Sequence, residues 1–528
     1  MEYILEIILG LFIAVVALGL AAKKLNIPYP IALVIGGLLL SFIPGIPTVE
    51  LDPDLIFLTI LPPILFSGGY FTSVGAFRSN IGPISLLAIG LVIITTLAVA
   101  IFTHYLDGLP WAAAFLLGAI ISPPDAIAAT AITQRLKVPH QLVTILDGES
   151  LVNDASALVI YRLALVALVT GSFSLFGAGI EFITVCIGGI AFGLAFGYVA
   201  AKIIKQITDP YLCITISLLL PYLSYLSADG FHMSGVLAAV TSGLYLGWQL
   251  PLIIAPIIRL ETAAVWKMVV FLLNGVVFIL IGLQLPLIID SLKAYSVKEL
   301  VIYSVGLNVI VILVRLLWVY FSIYLPVSLN KSWKLKNPHL GWKSTLIIGW
   351  CGMRGIVSLA AALALPIIVN KSSFPERNII IFLTFTVIFT SLVLQGLTLP
   401  FLIRKLKICN GSDELIEEAK IRMRTSQAAI KRLAQFSEEL DLGEELLTQL
   451  QNKYQDKIQW ANTVINNTLD PKTEKILAHS KRIQLELLNT EREKIVHLRN
   501  QGLISGEVAR RILNDIDFES ARLHSTST

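Results

Sequence analysis

Charge is scarce in this chain. Only 14% of its 528 residues are charged, against 55% hydrophobic, and the mean hydropathy is +0.78. Such a balance excludes a large soluble enzyme and points to a polytopic membrane protein. Cysteine is nearly missing as well. Cys186, Cys213, Cys351 and Cys409 stand far apart and match no metal or redox spacing. Three of them lie in apolar stretches, where a thiol acts as a small packing residue. There is no basic leader before the first apolar run: Glu2 stands there, and residues 4–22 read as a true span, not a cleaved signal. Basic residues sit in short loops, so the net charge of +4 forms no nucleic-acid patch.

What is present is apolar sequence in long runs. Stretches able to cross ~30 Å of hydrocarbon fall near 3–22, 29–46, 54–71, 82–106, 111–133, 142–170, 176–204, 210–227, 232–249, 262–290, 299–326, 343–369 and 377–404. That is thirteen spans. The loops after odd-numbered spans carry the basic residues: Lys23 and Lys24, Arg78, Arg135 and Lys137, Lys202 and Lys205, Lys331, Lys334 and Lys336, and Arg404, Lys405 and Lys407. The loops after even-numbered spans are acidic (Glu50, Asp52, Asp54), uncharged or mixed. The positive-inside rule therefore puts the amino terminus outside and the carboxy-terminal tail in the cytoplasm of a plasma (inner) membrane protein.

Thirteen spans divide into two sixes and a connector, and an odd connector forces the two sixes into opposite orientations. Inverted repeats of this kind bind their cargo where helices break near the midplane. Breaks are then expected in spans five and twelve. Span five carries Ser122-Pro123-Pro124-Asp125, and span twelve carries Gly349-Trp350-Cys351-Gly352-Met353-Arg354-Gly355. Tandem prolines cannot keep a helical ladder, and three glycines weaken one. Both breaks fall mid-span, each beside a charged residue.

Span six holds the acids: Gly148-Glu149-Ser150-Leu151-Val152-Asn153-Asp154. A charge in a spanning helix costs ~2.5–3.5 kcal/mol on insertion scales and is normally kept for a task. Helical spacing puts Glu149 and Asn153 on one stripe, with Ser150 and Asp154 on the next. Asp154 and the Ser150 hydroxyl offer hard oxygens suited to Na⁺, Li⁺ or H⁺ and unsuited to soft metals. Asp125 and the Pro124 carbonyl freed at the break are candidates to complete a cation shell, although Asp125 is equally suited to capping the following half-helix. Arg354 needs a counter-charge. Glu149 is the expected partner, leaving Asp154 free to titrate, and a pair with Asp154 is the alternative. Arg315, deep in span eleven, reads as a structural pair partner. Glu261 and Lys267 read as interfacial, and Asp229 and His232 as residues of an outer turn. Gly189, Gly193 and Gly197 form a ridge for close helix packing or a dimer face.

Several separated motifs resemble the monovalent cation/proton antiporters, sodium/proton exchangers of the bacterial type. They are Leu61-Pro62-Pro63-Ile64-Leu65-Phe66, Ser122 to Thr130, Gly148 to Ala155, Gly352 to Leu359 and Leu394 to Pro400. The resemblance implies an all-α membrane protein of thirteen helices in two inverted six-helix repeats with crossed broken helices. It implies a homodimer, in which a core domain moves against a dimerisation domain. It also implies that Asn153 and Asp154 mark the electroneutral branch, with the aspartate carrying cation and proton, and that Asp125, Ser150 and a Glu149–Arg354 pair surround it. Electrogenic relatives carry a second aspartate where this chain has Asn153. No cofactor is implied, since the ions are the cargo. One departure stands out: many members have an acid after the Leu-Pro-Pro run, at the position of Ser67. A cation channel lacks its expected repeated filter here. An intramembrane enzyme using Asp125 and Asp154 as a pair fits the inverted repeats less well.

The composition changes near 405–412. Of 36 acidic residues, 19 lie after Gly411. Residues 1–408 are therefore read as the membrane domain and 409–528 as a cytoplasmic helical domain, with helices near 413–440, 444–467, 472–500 and 506–522. That tail serves as a scaffold or as a regulator.

Overall fold

The computed structural model describes residues 2–25, 27–43, 53–136, 138–171, 174–290, 292, 296–329, 341–369, 372–408, 411–439, 444–466, 471–501 and 503–525. Glu50, Asp52, Lys137, Lys331, Lys334, Lys336 and Cys409 lie outside them. The chain divides into two compact units, Met1–Cys409 and Asn410–Thr528.

The first unit is helical almost throughout. Its long elements are α1 (Glu2–Leu25), α2 (Tyr29–Leu40), α3 (Pro53–Phe71), α4 (Ile81–Leu106), α5 (Trp111–Ile121), α6 (Ala126–Arg135) and α7 (His140–Thr170). They continue with α8 (Leu175–Ile204), α9 (Pro210–Gly230), α10 (Gly235–Ile253), α11 (Pro256–Leu283), α12 (Val297–Leu329), α13 (Trp342–Trp350), α14 (Ile356–Leu363) and α15 (Arg377–Leu406). Among the described residues, ten stretches are long and apolar enough to cross a membrane, counting α5 and α6 as one; α2 is shorter.

Both expected breaks are present. α5 stops at Ile121 and α6 starts at Ala126, so Ser122 to Asp125 are non-helical. Pro123 and Pro124 explain this, since neither can donate to the preceding turn. α13 stops at Trp350 and α14 starts at Ile356. The second half-helix is shorter than the sequence suggests. Residues 368–369, expected at the end of that span, instead form a two-residue antiparallel ladder with Ser372–Ser373. Helical geometry also widens to a π pattern at Ile56–Ile60, Leu86–Leu91 and Ser391–Gln395. Such bulges shift the register of the side chains that follow.

The largest apolar core joins α4, α5, α6, α7 and α12 to α15, with contributions from α1, α2 and α11. A separate cluster joins α3 to α8, α9, α10 and α11 through Phe66, Cys213, Leu246 and Trp266. The glycine ridge of α8 is spent inside the chain. A Cβ at Gly189 would press on the Ser234 carbonyl, and one at Gly193 on the Ala238 carbonyl, both on α10. Two backbones approach this closely only where side chains are absent.

The second unit is four helices: α16 (Gly411–Glu439), α17 (Glu444–Ile465), α18 (Pro471–Asn500) and α19 (Gly506–Ser525). α16 packs on α17 through Ala419, Ala461 and Val464, and α18 packs on α19.

Candidate functional site

The two breaks touch. The Asp125 N–H donates to the Met353 carbonyl at 2.7 Å, joining the non-helical segment of one broken helix to that of the other. Each helix that ends or begins there leaves unpaired backbone groups and an uncompensated end of its dipole. Specific side chains answer each of these needs.

At the starting ends, Asp125 caps α6: its Oδ1 accepts the Ile127 N–H at 2.8 Å. The same carboxylate lies against Gly355, where α14 begins without a side-chain cap, so closely that a Cβ at Gly355 would overlap it. One carboxylate thus faces two positive helix ends. The Ser150 Oγ of α7 adds to the α6 end by accepting the Ala126 N–H at 3.3 Å.

At the finishing ends stand two arginines. Arg315 of α12 donates through Nε to the Gly349 carbonyl and through Nη2 to the Ile348 carbonyl, both at 3.2 Å. Both carbonyls belong to the last turn of α13, where a cation is favoured. Arg354 donates through Nε to the Ile121 carbonyl at the end of α5, at 3.2 Å. Its backbone N–H donates to Ser391 Oγ at 2.9 Å, and its Nη1 donates to the Gly352 carbonyl. A Cβ at Gly352 would collide with both guanidinium groups.

This arrangement corrects one expectation. Glu149 pairs with Arg315 and not with Arg354, accepting from Nη1 at 2.7 Å and from Nη2 at 3.0 Å. Neither residue of the pair is exposed: 0% for Arg315 and 1% for Glu149. The alternative pair of Arg354 with Asp154 is not formed either. Arg354 is engaged by backbone carbonyls, and its Nη2 has no partner among the described residues. The reason is geometric. Arg315 crosses from α12 onto α7, whereas Arg354 sits inside the break and is drawn to the nearest helix end.

Asn153 and Glu149 share a stripe, as the spacing predicts, but do different jobs. Asn153 Nδ2 donates to the Pro124 carbonyl at 2.8 Å, and Asn153 Oδ1 has no partner among the described residues. One lone pair of the Pro124 carbonyl, expected in a cation shell, is therefore taken up by α7. Ser67, at the departure from the family pattern, donates to Ile64 of its own helix at 2.8 Å.

Asp154 differs from all of these. It is buried, with 8% of its surface exposed, and has no hydrogen bond or ion pair among the described residues. Its electrostatic neighbour is another acid, Asp125. A buried carboxylate with neither donor nor counter-charge is held only at a large penalty, unless a proton or a cation joins it.

One residue escaped the sequence reading. Asp147 lies seven positions before Asp154 and accepts the Thr130 hydroxyl of α6 at 2.7 Å. Its two-turn spacing was the available signal. Ser391 and the Met353 carbonyl left no such signal, since only the crossing of the breaks gives them a role.

Fold and site together define a polytopic helical membrane protein built around paired helix breaks and a buried carboxylate, Asp154. The sodium/hydrogen exchanger transmembrane family matches residues 10–405. An uncharacterized Na(+)/H(+) exchanger of Mycobacterium bovis is 32% identical over 527 residues, covering 98% of this chain and 96% of its own length. A sodium, potassium, lithium and rubidium/H(+) antiporter of Bacillus pumilus is 30% identical, covering 95% of this chain and 75% of its own. The sodium proton antiporter MjNhaP1 from Methanocaldococcus jannaschii shares the fold, with a TM-score of 0.57 and 24% identity over 77% of this chain and 99% of its own. The chain belongs to the sodium/hydrogen exchanger family.

Proposed function

We propose that this protein exchanges one monovalent cation for one proton, with Asp154 as the group for which the two compete. The observation that carries the reading is Asp154 itself, buried, under the electrostatic influence of Asp125 and without a partner among the described residues. The carboxylate accepts a proton or a cation in turn, and Asp125, Ser150 Oγ and the remaining lone pair of the Pro124 carbonyl are the oxygens we assign to complete its shell. Glu149, Arg315 and Arg354 hold the half-helices that frame it. Na⁺ is the first candidate cation, with Li⁺ and K⁺ behind it; the cation range named for the Bacillus relative makes a broad panel worth running.

Alternating access follows as the means of transport: a loaded core carries Asp154 from one side to the other. Asn153 stands where a second acid would add a charge, so one cation for one proton moves no net charge. The loop charges favour an external amino terminus and a cytoplasmic tail in residues 409–528. A homodimer is the assembly we infer from the family pattern.

The test is proton flux in proteoliposomes against a panel of monovalent cations, with Asp154→Asn beside the native chain. Cation-dependent flux should vanish in the variant; its survival would remove Asp154 from the mechanism. Clamping the potential with valinomycin should leave the native rate unchanged, and a potential-dependent rate would refute the one-for-one stoichiometry.

A further inference from the structure

α6 and α7 meet along a seam with three polar ties. Asn153 reaches Pro124, Ser150 accepts from Ala126, and Thr130 donates to Asp147. The first two belong to the site at the breaks. The third lies further along, toward the Arg135 end of α6 and the His140 end of α7, and nothing in the exchange mechanism described so far uses it.

Asp147 and Asp154 are seven residues apart on one continuous helix. Seven residues fall about 20° short of two full turns, so both carboxylates lie on nearly the same face, about 10 Å apart along the axis. Ser150 lies between them. Asp125, Thr130, Asp147 and Ser150 are all partly exposed, and Gln134, Arg135 and His140 at the end of the seam are exposed. Carboxylates and hydroxyls facing lipid are strongly disfavoured, so these partly exposed groups of the seam call for water or an ion beside them. The series ends at Asp154, more than nine-tenths buried and without a partner among the described residues.

Beyond Asp154, Ala155, Leu158, Val159 and Arg162 of α7 line a cleft together with Tyr225 and Ser234. The first charge on that side, Arg162, is already held by Asp229 at 2.8 Å. α7 carries no further acid between Ala155 and Thr170, so its carboxylates lie from Asp154 toward the His140 end.

We propose that Asp147 is a second cation-accepting carboxylate, a way station between the His140 end of α7 and Asp154, with Thr130 fixing its orientation. The inference rests on the exchange reading and extends it. Asp147 gathers a cation from solution on its own side and presents it, partly dehydrated, to the buried carboxylate two turns away. Besides Thr130, the titratable group that acts on Asp147 is His140 at the start of α7. The Thr130 bond leaves the second carboxylate oxygen of Asp147 available to a cation.

The experiment uses the full chain in oriented proteoliposomes, with Na⁺ presented first on the His140 side and then on the other. Removing a unit charge about 10 Å from the site should raise the apparent KM for Na⁺ roughly tenfold in Asp147→Asn. That rise should be confined to the His140 side, with the larger effect on KM and the smaller on Vmax. Asp147→Glu should restore the native KM, and Thr130→Val, which keeps the charge and loses its anchor, should fall between. An unshifted KM, an equal shift from both sides, or a fall in Vmax alone would each overturn the proposal. Should Asp147→Asn fail to assemble, Thr130→Val decides, and a native KM in it is equally fatal. A native chain without proton flux dependent on Na⁺, Li⁺ or K⁺ would refute the exchange reading itself; native flux with an unaltered variant refutes only the role of Asp147.

Discussion

Arg315 and Glu149 form a two-pronged ion pair at 2.7 and 3.0 Å with no exposed surface on the arginine. The guanidinium donates two further bonds to the last carbonyls of α13. The pair thus binds three things together: α12, the helix that carries Asp154, and the first half of a broken helix. Arg354 makes the matching contact at the end of α5, so each broken helix has one guanidinium at the finishing end of its first half.

Breaking that pair from either side should be severe. Glu149→Gln or Arg315→Ala leaves a buried charge unpaired, with an expected loss of about 3–5 kcal/mol. Replacing both residues by apolar ones of similar size should recover much of this. A thermal-shift assay on detergent-solubilised protein reads both effects. If Arg315→Ala were as stable as the native chain, the pair would have no structural weight. By contrast, the Arg162–Asp229 pair has 48% and 40% of its side chains exposed and should contribute under about 1 kcal/mol.

Gly355 should tolerate no side chain. A Cβ there overlaps the Asp125 carboxylate, and overpacking of this kind costs about 1–3 kcal/mol. Gly355→Ala should displace Asp125 from the α14 end and reduce Na⁺-dependent proton flux far more than it reduces the amount of folded protein. Full transport in this variant would show that the Asp125 position is unimportant.

Asn153→Asp tests why an amide occupies that position. The variant loses the donor to the Pro124 carbonyl, and an unpaired buried acceptor costs about 1–3 kcal/mol. It also places a second acid beside Asp154. We expect a lower melting temperature together with turnover that responds to a clamped membrane potential, where the native rate does not. A variant as indifferent to potential as the native chain would argue against Asn153 as the determinant of charge balance.

Competition at one carboxylate has a fixed sign in pH. Lowering pH favours the protonated form and weakens cation binding, since a ligand carboxylate must release its proton to bind. Where the proton is the resident ion, each pH unit downward should raise the apparent KM for Na⁺ about tenfold, with Vmax unchanged. Initial rates over a pH and Na⁺ grid check this; a KM independent of pH would exclude competition at a shared site.

Much of this architecture was legible in the residues. Tandem prolines at 123 and 124 and glycines at 352 and 355 forbid continuous helices locally, so both breaks could be placed without coordinates. Helical spacing separated Glu149 from Asp154 and set them on different stripes. The acidity of the chain changes near Gly411, and its two compact units are Met1–Cys409 and Asn410–Thr528. The same rule places Asp147 on nearly the face of Asp154 by its heptad distance, but helical spacing alone does not bring it to Thr130 of α6.

Sequence alone determined the positions of the breaks, the faces of α7 and the presence of acids in an apolar setting, because these depend on neighbours within a few residues. Tertiary structure decided who meets whom. Arg315 and Arg354 are both buried cations with a long reach, and local spacing cannot rank them as partners for Glu149. Only the packing of α12 and of the broken helices on α7 gives Glu149 to Arg315, ties the Pro124 carbonyl to Asn153, and leaves Asp154 without a partner among the described residues.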